Sequence, residues 1–252
     1  MSKPQTQSVI VTGSSSGIGR AVAKAFLSRG DRVVLNGRNA DALSRTAAEL
    51  RAETQAPDDH LAIVPGSIGE RRTGEALAHA AVERFGGVDL LVNNAGTFGV
   101  RPFVEVTEDE LDGFLQGNLR GTYITTQAVV REMQRAGHGG AIVNIGTVLV
   151  DHALGGAPAS AALVSKGGVH ALTISLAAEL APAGIRVNLV APGMVRTPLQ
   201  AGADENALSG VALLQRVGDA AEIADAVLYL ADARFATGHI LNLDGGYVTG
   251  RA

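Results

Sequence analysis

The feature that most constrains this chain is Thr12-Gly13-Ser14-Ser15-Ser16-Gly17-Ile18-Gly19, a glycine-rich turn between an apolar run ending at Val11 and a stripe of Ile18, Val22 and Phe26 at helical spacing. A strand that feeds a helix through such a turn gathers free backbone N–H groups and the positive end of the helix dipole at one point. Glycine lets a pyrophosphate approach the backbone there. The spacing G-x-x-x-G-x-G alone also arises by chance or marks a tight strand–helix contact, so its weight comes from its position after a strand pattern and before a helix pattern. Gly13, Ser15, Ser16, Gly17, Ile18 and Gly19 are therefore candidate cofactor-binding residues.

The rest of the chain repeats the same rhythm. Ser8 to Thr12, Arg32 to Asn36, Leu61 to Val64 and Leu90 to Asn93 are short, β-branched and continuously apolar, as strands covered on both faces are. Ala141 to Ile145, Arg186 to Ala191 and Ile240 to Leu243 add three more. Helical patterns separate them, among them Ala76, Ala80 and Arg84 to Phe85, then segments centred near Val129, Leu172 and Val227. The alternation predicts an α/β, doubly wound Rossmann fold with a seven-stranded parallel sheet flanked by helices. Thr107-Glu108-Asp109-Glu110 has capping-box spacing, and Asp219 to Glu222 repeats it with an Asp cap. Gly202 to Gly210, small and polar, reads equally as a mobile lid or as an ordinary surface loop.

Composition excludes several classes. With 252 residues, 46% of them hydrophobic, the chain can bury one substantial core, which predicts a single domain over residues 1–252. A formal charge of −4 gives no electrostatic case for nucleic acid or an anionic membrane surface. The absence of cysteine suits a reducing compartment, rules out thiolate ligands and leaves redox work to a borrowed cofactor, with no metal expected. Met1 to Gln7 lacks a signal-like apolar stretch, and no later apolar run is read as reaching the roughly 18 residues of a membrane span. A cytoplasmic protein is the expectation.

Four motifs in order carry a family resemblance: the glycine turn, Asn93-Asn94-Ala95-Gly96 after the fourth strand, Asn118 in the fifth helix, and Pro192-Gly193 after the sixth strand, followed by Gly238 and Asp244-Gly245-Gly246. Together they make nearly the whole chain similar to the short-chain dehydrogenase/reductase (SDR) family. The resemblance implies a pyridine-nucleotide cofactor across the carboxyl edge of the sheet, held additionally by Asn94, Ala95, Gly96, Lys166, Pro192, Gly193, Val195 and Thr197. It also implies a small-molecule substrate and a homotetramer built through the helices containing Val129 and Leu172.

At the end of the second strand an acidic residue would bind the adenosine ribose, whereas a nearby arginine would pair the 2′-phosphate of NADP. The chain has Asn36-Gly37-Arg38 there, which favours NADP(H) and leaves NAD(H) open, the alternative being that Arg38 is a solvated surface charge. Where the family usually has Asp after the third strand, this chain has Ser67, which weakens the adenine contact or moves it to Ile68.

In relatives that reduce carbonyls, a tyrosine protonates the developing alkoxide and a lysine four residues later lowers its pKa and binds ribose. Lys166 matches that lysine, and the tyrosine position is Ala162. Asn118 matches the residue that holds a relay water, and Thr147 stands in the usual serine's place; each also has a plain structural alternative in backbone bonding, turn completion or ribose contact. A missing acid forfeits about 10²–10⁴-fold, so slow turnover survives through positioning. His152, oriented by Asp151, is a candidate replacement donor, with a bland loop histidine as the alternative. Ser160 has too high an intrinsic pKa to act without a base. His170 is expected at an oligomer interface, and His138 and His239 at capped or exposed ends. Pocket-shaping residues are expected in Val148 to Ala157 and Val195 to Gly210.

These observations leave three readings. One is an NADP-dependent oxidoreductase acting on a small carbonyl or alcohol with atypical acid–base machinery. The second is a non-catalytic nucleotide-binding subunit or sensor, and the third is a reductase disabled by an introduced Tyr-to-Ala change at position 162.

Overall fold

The computed structural model describes residues 6–202 and 204–250. Residues 1–5, the greater part of the polar start Met1 to Gln7, lie outside them, as do residue 203 within the Gly202 to Gly210 segment and residues 251–252.

Seven strands form one parallel sheet: β1 (Ser8–Val11), β2 (Arg32–Gly37), β3 (Leu61–Pro65), β4 (Leu90–Asn93), β5 (Gly140–Ile145), β6 (Ile185–Pro192) and β7 (Ile240–Leu243). Their order across the sheet is β3-β2-β1-β4-β5-β6-β7. The continuous apolar runs are explained by period-two sorting between two cores. Val9, Val11, Val33, Leu35, Leu90, Val92 and Val143 face one, and Ile10, Val34, Leu91, Ile142 and Val187 face the other.

Helices cover both faces: α1 (Gly17–Arg29), α2 (Ala40–Thr54), α3 (Arg71–Phe85), α4 (Glu108–Phe114), α5 (Gly121–Ala136), α6 (Ser160–Leu180), α7 (Glu205–Ser209) and α8 (Ala220–Asp232). Phe26 of α1 and Val227 of α8 belong to the first core; Leu77 of α3, Val129 of α5 and Ala177 of α6 belong to the second. The capping box at Thr107 is formed, its backbone N–H donating to Glu110 at 3.0 Å and its hydroxyl accepting the Glu110 N–H at 3.2 Å.

The chain leaves β1 toward β2 and β3, then returns to β4 on the other side of β1. That reversal opens a crevice at the carboxyl ends of β1 and β4, where doubly wound sheets bind ligands.

Two expectations change. The helix starting at Ser160, continued to Ala183, is long and apolar enough by length and composition to cross a membrane, contrary to the reading of the apolar runs. In this fold it packs against β6 as a core helix and buries Ser165, His170 and Thr173. Asn118 lies in a π-helical turn, Leu115–Arg120, that joins α4 to α5, rather than in α5 itself.

Candidate functional site

At one end of the crevice the glycine turn is stitched to the segment after β4. The Thr12 hydroxyl donates to the Val92 carbonyl at 3.3 Å and accepts the N–H groups of Asn94 and Ala95, both at 3.0 Å. The Asn94 amide donates to the carbonyls of Thr12 and Gly13, again at 3.0 Å. This contact leaves no room for side chains: a Cβ on Gly19 would lie 2.3 Å from the Gly13 oxygen, and one on Gly13, whose φ is +64°, would lie 2.7 Å from Ala95 Cα. Ser16 begins α1 in extended conformation without a side-chain cap bond, and the first turn carries no acidic residue. The first amides of α1 therefore keep their donors and their positive potential for an anion. Ser15, Ser16, Gly17 and Ile18 all retain exposed surface there. Thr197 reaches the same place from beyond β6, its Cβ 3.4 Å from where Gly17 would carry one. Pro192, Gly193 and Val195 complete that wall, with Pro192 and Val195 buried and Gly193 held tightly against Asp244.

Beyond the turn, Asn36 points inward. Its amide donates to the carbonyls of Val64 and Gly66 at 3.0 and 3.2 Å, so it is occupied by β3. Arg38 is exposed and makes no ion pair among the described residues. Ser67 accepts the Gly69 N–H, and the Ile68 side chain packs against Gly121 at the start of α5. The adenine contact foreseen at Ile68 can therefore use its peptide group but not its side chain.

At the other end stand the residues matched to chemistry. Ala162 is fully buried on α6. Its carbonyl accepts from the Ser165 hydroxyl at 2.7 Å, and that hydroxyl accepts from the Asn118 amide at 2.8 Å. Asn118 also donates to the Thr97 carbonyl at 2.9 Å and accepts the Thr97 N–H at 2.7 Å. Both amide hydrogens are engaged and the oxygen accepts one N–H, so the Asn118 side chain ties the segment after β4 to α6. The Thr147 hydroxyl accepts the Leu149 N–H at 3.3 Å, completing a turn while keeping its own hydrogen to donate. Lys166 donates from Nζ to the Ile145 carbonyl at 2.8 Å, and Nζ would lie 3.2 Å from a Cβ on Gly96. Burial lowers the Lys166 pKa to about 8, because the ammonium is desolvated without a carboxylate partner.

Two histidine expectations are corrected. His152 is exposed, and no hydrogen bond ties its ring to Asp151 among the described residues; its ring stands edge-on to Tyr247, 5.5 Å between centroids. Its carbonyl accepts the Tyr247 hydroxyl at 3.0 Å. The carboxylate thus does not orient the imidazole, which weakens the case for His152 as donor. His170 is not on an outer helix face. It is 5% exposed within this one chain, crowded against Gly146 and Leu189, with Nε2 lacking a hydrogen-bond partner. Burial lowers its pKa, while Asp151 opposes and Lys166 reinforces that shift.

A cavity of about 140 Å³ opens beside the start of α6, lined by Arg101, Val106, Glu110, Phe114 and Ser160 among others. Arg101 pairs with Glu110 at 2.8 Å across it. Tyr247, next to the Asp244-Gly245-Gly246 signal, was missed as well; it is buried with Val148, Leu149 and Ala191 beneath the loop after β5. Of the Gly202 to Gly210 segment, α7 makes Glu205–Ser209 helical, and Arg196 anchors it through ion pairs to Glu205 and to Asp219.

Residues 13–248 match the family model described as enoyl-(acyl carrier protein) reductase. Carbonyl reductase family member 4 of Danio rerio is 39% identical, over 94% of this chain and 96% of its own. An L-rhamnose 1-dehydrogenase (NAD(P)(+)) of Azotobacter vinelandii is 35% identical, over 95% and 96%. The crystal structure of a short-chain type dehydrogenase/reductase from Mycobacterium marinum superposes with TM-score 0.90 and 31% identity, covering 96% of this chain and 95% of that one.

Proposed function

This chain belongs to the short-chain dehydrogenase/reductase family of oxidoreductases, and from that premise we propose that it is an NADP-dependent enzyme that interconverts a small carbonyl and its alcohol with altered acid–base machinery. The observation that carries the reading is the uncapped start of α1 locked against the segment after β4, a cradle that a methyl group at Gly13 or Gly19 would fill. A pyridine nucleotide bound there would supply or accept hydride. Gly13, Ser15, Ser16, Gly17, Ile18 and Gly19 would hold its diphosphate, with Thr197 closing over them.

The choice of NADP over NAD is supported by three facts. Gly37 offers no carboxylate to repel a 2′-phosphate, the Asn36 amide is spent on the carbonyls of Val64 and Gly66 while its oxygen accepts the Gly13 N–H, and Arg38 is exposed and makes no ion pair among the described residues. Ser67, Ile68, Asn94, Ala95 and Gly96 would complete the nucleotide's bed, and Pro192, Gly193 and Val195 the wall opposite. Thr147 and Lys166 would serve the reacting end, where Asn118 ties Thr97 to Ser165. Burial of Ala162 without a hydroxyl favours a second reading, a nucleotide-binding subunit without turnover.

Exposed Tyr123 on α5 and exposed Val164 and Ile174 on α6 support a homotetramer, and the absence of cysteine supports a cytoplasmic location.

Fluorescence titration with NADPH and NADH, followed by assay of this chain and Ala162→Tyr on a panel of ketones and aldehydes, tests the proposal. Tighter NADPH binding and slow turnover by the chain itself are expected. Turnover by Ala162→Tyr alone would leave the native chain a binding protein, and no uptake of either coenzyme would end the whole reading.

A further inference from the structure

Resting on that reading, we propose that Lys166 is itself the proton donor to the substrate oxygen, taking over directly the step for which Ala162 has no group. The other polar groups near Ala162 are each committed elsewhere or unsuited to donate. Ser165 lies beside Lys166, but its hydroxyl donates to the Ala162 carbonyl and accepts from Asn118. Asn118 has both amide hydrogens engaged. Thr147 retains a hydrogen, but a neutral alkyl hydroxyl is a poor acid with no charge behind it. His152 lies out in solvent against Tyr247, whose hydroxyl is held by the His152 carbonyl. His170 is enclosed behind Gly146.

Lys166 differs from all of these. Its side chain runs along the α6 face one turn beyond Ala162, whose methyl group contributes neither donor nor acceptor. Nζ ends between β5 and Gly96, in the crevice where a nicotinamide and its substrate would meet. One of its three N–H groups is spent on the Ile145 carbonyl, and no other partner is found among the described residues, so two remain for ligands. No carboxylate neutralises it. The titratable group coupled to it is His170 on its own helix, whose pKa Lys166 lowers and Asp151 raises. Desolvation brings the ammonium to about 8, near enough to neutrality to give up a proton and recover it.

The balance is simple. As hydride reaches the carbonyl carbon, the C=O π pair moves to oxygen, an Nζ–H bond of Lys166 breaks and an O–H bond forms. The neutral amine is recharged by a proton from water. Oxidation of an alcohol runs the same steps backwards, with the amine accepting the hydroxyl proton.

The chain contains only three lysines, Lys3, Lys24 and Lys166, which makes the test direct. Lys24 is paired with Glu53 at 2.8 Å on the surface. The full chain labelled with [ε-13C]lysine and titrated by NMR should show one resonance with a midpoint near 8 that is absent in Lys166→Arg. The rate of carbonyl reduction at saturating NADPH should fall about tenfold per pH unit above that same midpoint. In Lys166→Arg, whose guanidinium does not give up its proton, turnover at neutral pH should drop about 10²-fold or more and the limb with that midpoint should disappear. Absence of a Lys166 resonance with a midpoint near 8, undiminished turnover by Lys166→Arg, or a descending limb that survives in it overturns the role while leaving the oxidoreductase reading in place. Absence of turnover by both the chain and Ala162→Tyr, with NADPH bound, overturns that reading and this role together.

Discussion

The two ends of the crevice are built on different principles. The phosphate end is made of backbone: glycines that admit close approach, amides at the start of α1, and the bonds from Thr12 and Asn94 that clamp the turn to β4. The other end depends on individual side chains, and there Ala162 offers only a buried methyl group. Asn118, Thr97 and Ser165 still brace a wall around a position that carries only a methyl group. The glycine turn and the Asn118 frame thus share no side chain, and each keeps its own hydrogen bonds.

The most severe way to break this contrast is Gly19→Ala. Its methyl group would collide with the Gly13 carbonyl and the Asn94 amide, so a cost of about 3 kcal/mol in chemical denaturation is expected, with loss of coenzyme binding. Native stability together with native affinity would show that the turn is not the cradle.

Asn118→Ala attacks the other end. It strips partners from the Thr97 backbone and the Ser165 hydroxyl in a buried setting, for an expected loss of about 2 kcal/mol. Coenzyme affinity measured at a temperature where the variant is folded should change little, since the phosphate end does not use Asn118; a large drop would join the two ends into one unit.

Arg38→Ala sharpens the comparison within the binding end. Removing an exposed guanidinium should weaken NADPH by about tenfold, equivalent to about 1.4 kcal/mol, and leave NADH unchanged. Equal effects on both coenzymes would make Arg38 a solvated charge.

The smallest effect expected is that of Tyr247→Phe, which deletes the bond to the His152 carbonyl while keeping the buried ring. About 1 kcal/mol should be lost. Faster amide hydrogen exchange across residues 148–157 should accompany it, and unchanged exchange would mean that the loop after β5 is held by packing alone.

Much of this molecule is legible in the chain because it rests on local rules. All seven strands fall within a residue or so of their apolar runs, since a strand covered on both faces must be apolar throughout. The glycine turn is equally readable, because a backbone that must touch another backbone excludes side chains. The histidines were not. His170 looked like an interface residue from its helical spacing, and only the docking of α6 against β5 and β6 encloses it beside Gly146. Asp151 and His152 are neighbours in sequence, yet the turn after Thr147 leaves both exposed, with the imidazole against Tyr247, almost a hundred residues away.

What the sequence determined by itself is the order of strands and helices, the anion cradle and the absence of a phenol at position 162, each set by residue type at a position or by short-range period. The tertiary structure decided the environment of every ionisable group. The desolvation of Lys166, the engagement of Asn118 and the enclosure of His170 arise from elements distant in the chain, because electrostatic character depends on what surrounds a charge in three dimensions.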